Sequence, residues 1–207
     1  MTPDTTLPDG RPLFVPMPLS FVPAAAIFDC DGTLADTMPL HYRAWREILN
    51  ARGCPFPEEQ FYAWGGVTAL EVIERLNREH GLSIPPRETA EIKEALYARL
   101  LPEAAPIPVI VAEARRLHSL CPLAVASGGM RYLVEQTLDG MGIRGLFGAV
   151  TTADDVPRGK PAPDVFLLAA ERLAVDPARC VVYEDGPAGM EAGRAAGMQV
   201  VDVRPYV

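Results

Sequence analysis

FDCDGTLADT, residues 28–37, decides how the rest of the chain is read. Asp29 and Asp31 stand one residue apart, with Gly32 and Thr33 directly behind them. The apolar run Ala24-Ala25-Ala26-Ile27-Phe28 leads straight into the pair, and a short uninterrupted apolar run reads as a buried strand. Residues two apart on extended backbone point the same way, so this strand would deliver two carboxylates to one side of its carboxyl end. Parallel α/β sheets bind their ligands at that end.

Downstream the pattern fits such a sheet. After Pro106 and Pro108, helical segments 109–119, 130–141, 163–174 and 187–196 alternate with apolar runs 123–126, 149–152, 180–183 and 199–203. Short links between alternating strands and helices predict a parallel sheet covered by helices. Residues 39–101 differ. Three stretches, 39–52, 67–80 and 88–101, carry helical periodicity through Leu40/Ala44/Ile48, Leu70/Ile73/Leu76 and Ile92/Leu96/Leu100, and no strand-like run interrupts them. The expectation is a core of residues 24–36 and 106–207 with a helical cap, 37–105, inserted into it. Residues 1–23 hold six of the 21 prolines and read as an extended arm.

The formal charge of −8 argues against a nucleic-acid surface, which needs a basic stripe. A small phosphorylated ligand needs only a local positive site. The four cysteines contain no CxxC pair, no signal-peptide pattern is seen, and no apolar run is long enough to span a bilayer. The expected protein is cytoplasmic, monomeric and free of the membrane. Of the 19 lysines and arginines only two are lysines, Lys93 and Lys160, and a position that keeps lysine suggests a need for a compact point charge.

Each strand end carries a polar cluster: Asp29 to Thr33, then Ser127-Gly128-Gly129, then Thr152 to Asp155 with Lys160-Pro161 beyond, then Glu184-Asp185. Taken singly, each has an ordinary reading as a turn or a helix start. Together they converge. Crowded carboxylates are costly unless a cation neutralises them, and hard oxygen ligands suit Mg²⁺. Metal, lysine and hydroxyl in one place describe phosphoryl transfer.

On these residues the sequence resembles the haloacid dehalogenase superfamily: Asp29-Cys30-Asp31-Gly32-Thr33, then Ser127, Lys160 and Glu184-Asp185, in that order. The helical insertion is similar to the C1 cap of its phosphatase and phosphomutase branch. The resemblance implies a Rossmann-like core, with Asp29 as nucleophile and Asp31 as acid and then base. It implies Mg²⁺ on Asp29, the Asp31 carbonyl and Asp185, with Glu184 nearby. Ser127, Gly128, Lys160 and Thr33 would hold the phosphoryl group. Dehalogenases of this family lack the second aspartate, so Asp31 favours phosphate esters. Asp36 to Trp45 and Glu184 to Met198 look most like β-phosphoglucomutase and the fructose-1-phosphate phosphatases. Mutases of that branch carry a Lys and an Arg in a cap loop near KGxSR. Here that loop reads Gly65-Gly66-Val67-Thr68-Ala69, which favours hydrolysis of a sugar monophosphate over a mutase. His41 and Lys93 are cap-side candidates for sugar or proton contacts, the alternatives being a surface histidine and a solvated lysine. Gly65-Gly66 is expected to approach the substrate closely.

Overall fold

The computed structural model describes Leu19 and residues 22–207; the rest of the proline-rich arm lies outside the described residues. The elements, in chain order, are β1 (Ala25–Phe28), β2 (Ala35–Asp36), α1 (Met38–Asn50), α2 (Glu58–Ala63), α3 (Ala69–His80), α4 (Pro86–Leu100) and β3 (Ala105–Pro106). They continue with α5 (Pro108–His118), β4 (Leu123–Ala126), α6 (Arg131–Gly140), β5 (Ala149–Thr151), α7 (Asp164–Arg172), β6 (Cys180–Glu184), α8 (Pro187–Ala195) and β7 (Gln199–Asp202).

The main sheet is five-stranded and parallel, in the order β5-β4-β1-β6-β7. Alternate residues of its strands serve two apolar layers. Ala26, Phe28, Val125 and Tyr183 pack with Ile110, Leu117 and Val134 of α5 and α6. Ala25, Ile27, Ala124 and Val182 pack with Phe166, Ala169 and Ala192 of α7 and α8 on the other face. The chain fills one side of β1 with β4 and β5, then crosses to β6 and β7. That reversal opens a crevice beyond the carboxyl end of β1.

Between β2 and β3 the chain builds four helices around their own apolar cluster, which includes Trp45, Ile48, Phe56, Phe61, Ile73 and Leu76. Burial of these side chains, rather than helix propensity, holds so short a bundle together. Thr68 caps α3 by accepting from Glu71 N at 3.3 Å, and Gly81 ends it in the left-handed conformation. β2 and β3 pair antiparallel, so both strands that join the two units run side by side.

Helix α1 buries Leu40, Ala44 and Ile48, the face its periodicity predicts. Two others differ. In α3, Leu70 is 42% exposed and Val72 is buried in its place. In α4, Ile92 is 39% exposed, and the buried face is Thr89, Ala90, Lys93 and Tyr97. Rows at i, i+4 and i+8 join Thr89, Lys93 and Tyr97, and polar partners on other elements let Lys93 and Tyr97 turn inward. Helix α2 is six residues long, too short to declare itself by periodicity.

Candidate active site

Sheet register sets the first part of the site. Phe28 is level with Val125 and Tyr183, so Asp29, next in the chain, comes level with Glu184. Asp29 N completes the ladder by donating to Tyr183 O at 3.0 Å. The chain then reverses in a tight turn where Gly32 N donates to Ala35 O at 2.8 Å. Gly32 has φ +86, and an added Cβ would overlap the Asp185 carboxylate, so glycine is required twice over.

Lys160 enters from the loop before α7. Its Nζ donates to Asp29 Oδ1 at 2.5 Å and to Glu184 Oε2 at 2.7 Å, and all three side chains are buried. Burial alone would lower the Lys160 pKa, but Asp29 and Glu184 outweigh it and keep the ammonium charged. Glu184 Oε1 accepts from the backbone N of Asp185 and Gly186, and Thr33 Oγ1 donates to Asp185 Oδ1 at 2.9 Å.

Asp29, Glu184 and Asp185 bring ligand oxygens within 4.8 Å of one another. One lysine cannot balance three carboxylates. Burial and Glu184 push Asp29 up to about 8 against the pull of Lys160, while burial and Asp29 push Asp185 up to about 7. A divalent cation among hard oxygen donors relieves that crowding, so the donor set fits one.

The carboxylate of Asp31 turns the other way. Thr37 Oγ1 donates to it at 2.6 Å, Tyr97 OH at 3.3 Å and Ser127 Oγ at 3.4 Å, and His41 Nε2 lies 3.4 Å away. Burial would raise its pKa, but the hydrogen bonds from His41 and Thr37 prevail and hold it well below the usual carboxylate range. Any metal contact from Asp31 must therefore come from its main chain. His41 stacks on Tyr97 with centroids 3.7 Å apart, and Lys93 Nζ donates to His41 Nδ1 at 2.7 Å. That bond leaves the proton on Nε2, facing Asp31. Burial and Lys93 both lower the His41 pKa and favour the neutral ring.

The sequence candidates thus separate into two groups, one around Asp29 and one around Asp31, and most of them line one cavity of about 120 Å³. Asp29, Thr33, Lys160, Glu184 and Asp185 meet at the sheet, while Ser127, with Gly128 next to it, donates to Asp31. His41 reaches Asp31 from the cap with Lys93 behind it, and neither is a solvated side chain on a helix surface. Gly66 lines the cavity, but an added Cβ there would first meet Ala188 of α8 at 3.4 Å, so its closest approach is to the core. Sequence reasoning missed Thr37, Tyr97 and Glu94. Tyr97 follows Lys93 by four residues, which was the available signal.

The profile of haloacid dehalogenase-like hydrolases matches residues 23–197. The fructose-1-phosphate phosphatase YqaB of Escherichia coli (strain K12) is 40% identical over 182 residues, covering 87% of this chain and 96% of its own. A crystal structure of β-phosphoglucomutase from Clostridium difficile superposes with a TM-score of 0.77 at 27% identity, covering 86% of this chain and 83% of that one. CbbY from Rhodobacter sphaeroides, solved with phosphate, gives 0.73 at 31% identity over 86% and 84%.

Proposed function

The chain belongs to the haloacid dehalogenase-like hydrolase family, and on that premise we propose that it is a Mg²⁺-dependent phosphatase of small sugar monophosphates, fructose-1-phosphate-like esters foremost. The observation that carries the reading is the division of labour between two neighbouring carboxylates. Asp29 is clamped by Lys160 inside an acidic cluster, while Asp31 is surrounded by proton-carrying groups. The similarity to a fructose-1-phosphate phosphatase supports the substrate class.

In the first half-reaction an Asp29 oxygen attacks phosphorus. The new O–P bond forms as the ester P–O bond breaks, and the leaving alkoxide takes a proton from Asp31. In the second, water attacks the aspartyl-phosphate, Asp31 accepts its proton, and Asp29 is released with phosphate. Asp29, Glu184 and Asp185 would hold Mg²⁺, which supplies positive charge to the phosphoryl oxygens. Lys160 and the Ser127-Gly128 turn orient those oxygens. Asp31 must gain a proton before it can donate one, and the negative phosphate arriving beside it raises its pKa in the needed direction. His41 and Tyr97 come from the cap, so Asp31 has its full set of partners only when the cap is closed.

The test is phosphate release from a panel of sugar phosphates with Mg²⁺. Turnover of one or a few, lost in Asp29→Asn and on chelation, is the expected result. Turnover that survives Asp29→Asn sinks the mechanism. Conversion of β-glucose-1-phosphate to glucose-6-phosphate with a bisphosphate primer, and no phosphate release, makes the protein a mutase instead.

A further inference from the structure

Few charges reach the cap side of the cavity. Of the cap residues that line it, Lys93 and Glu94 are the two with permanent charge, and they are adjacent on α4. Lys93 Nζ lies 3.0 Å from Glu94 Oε1, and both side chains are largely covered. The ammonium is also committed to His41 Nδ1 at 2.7 Å and sits over the rings of Trp45 and Tyr97. Its charge is therefore matched, and two of its three N–H donors are taken by His41 and Glu94. Among the described residues nothing donates to Glu94 Oε2. The cap thus offers a ligand one carboxylate oxygen as a free acceptor and no unmatched cation.

That balance sorts substrates. A carboxylate accepts hydrogen bonds from the hydroxyls of a polyol, and these are stronger than bonds to a neutral acceptor. A second phosphate at the far end of the substrate would instead meet that carboxylate oxygen with no unmatched cation to hold it, an arrangement that disfavours a doubly charged group. The core lysine cannot help it, because Lys160 is buried between Asp29 and Glu184.

We propose that Glu94 is the specificity-determining residue of the cap: it accepts from the hydroxyls of a monophosphorylated polyol and excludes bisphosphates. The assignment rests on the phosphatase reading above. Its test compares kcat/KM for fructose-1-phosphate, fructose-1,6-bisphosphate and para-nitrophenyl phosphate in wild type, Glu94→Gln and Glu94→Arg. Glu94→Gln keeps the shape and removes the charge, so the ratio of fructose-1-phosphate to aryl phosphate should fall about tenfold, mainly through KM. Glu94→Arg should raise the ratio of bisphosphate to monophosphate by at least about tenfold. If all three substrates fall together, Glu94 is merely the counter-ion of Lys93 and the assignment is wrong. Ratios unmoved in both variants overturn it equally. Wild type that hydrolyses none of the esters overturns the phosphatase reading and this inference with it, whereas turnover with unmoved ratios removes the inference alone.

Discussion

Gly189 lies in α8 where an added Cβ would overlap the Glu184 carboxylate. That carboxylate holds Lys160, and Lys160 holds Asp29, so a methyl group here acts three residues away from itself. Gly189→Ala should lower kcat/KM for any phosphate ester by about 100-fold or more, since displacements of about 1 Å at a reacting group have that effect. Far-UV circular dichroism should stay native, as alanine is the better helix former. Gly140, at the end of α6 with no described residue within 4 Å of an added Cβ, is the control: Gly140→Ala should raise stability by about 0.5 kcal/mol. Much of the site was legible at this scale. Two lysines among 19 basic residues marked positions where a compact charge was kept, and both are now buried at the cavity. What could not be read was direction. Asp29 and Asp31 share a strand-like spacing, yet Asp29 turns to Lys160 while Asp31 turns to Thr37, Tyr97 and His41.

At the scale of the element, periodicity served the sheet and failed in α4. β1, β4 and β6 are apolar on both faces, so their sequence alone betrays them. The inward face of α4 carries Thr89, Lys93 and Tyr97, and the partners that make its lysine and tyrosine tolerable sit on α1 and after β1. A hydropathy pattern along one helix cannot see partners on another. Thr89 is the exception within that face: it is fully buried, and its Oγ1 has no hydrogen-bond partner among the described residues. A buried hydroxyl without a partner costs about 1 kcal/mol or more. Thr89→Val keeps the branched shape and removes the orphan, so thermal unfolding should move up by a few degrees, equivalent to about 1 kcal/mol. A drop in melting temperature would show that the hydroxyl is satisfied in solution.

For the whole molecule the decisive contact is the one between the two units. Leu40, Ala44, Tyr97 and Leu101 of the cap side pack with Leu133 of the core, and Gly65 and Gly66 of the cap tip lie against Gly186 and Ala188 at the start of α8. An added Cβ on Gly186 would meet Gly65 O at 3.3 Å, and one on Gly66 would meet Ala188 Cβ at 3.4 Å. Gly66 also has φ +87, where any side chain adds about 1 kcal/mol of strain. Gly66→Ala should therefore shift the population toward an open cap. Opening withdraws His41 and Tyr97 from Asp31 and carries Glu94 of the same helix away with them, so every ester that reacts only under a closed cap loses rate in proportion to the closed fraction. The fall in kcat/KM, about tenfold for a shift of about 1.4 kcal/mol, should thus be the same for a sugar phosphate and an aryl phosphate. The chain supplies its own reporter: its two tryptophans, Trp45 and Trp64, both line the cavity from the cap. Their emission should be redder, and acrylamide quenching stronger, in Gly66→Ala than in wild type. If the aryl phosphate is spared while the sugar phosphate suffers, Gly66 touches substrate, as its sequence position suggests, and the seam with α8 is not what closes the cap.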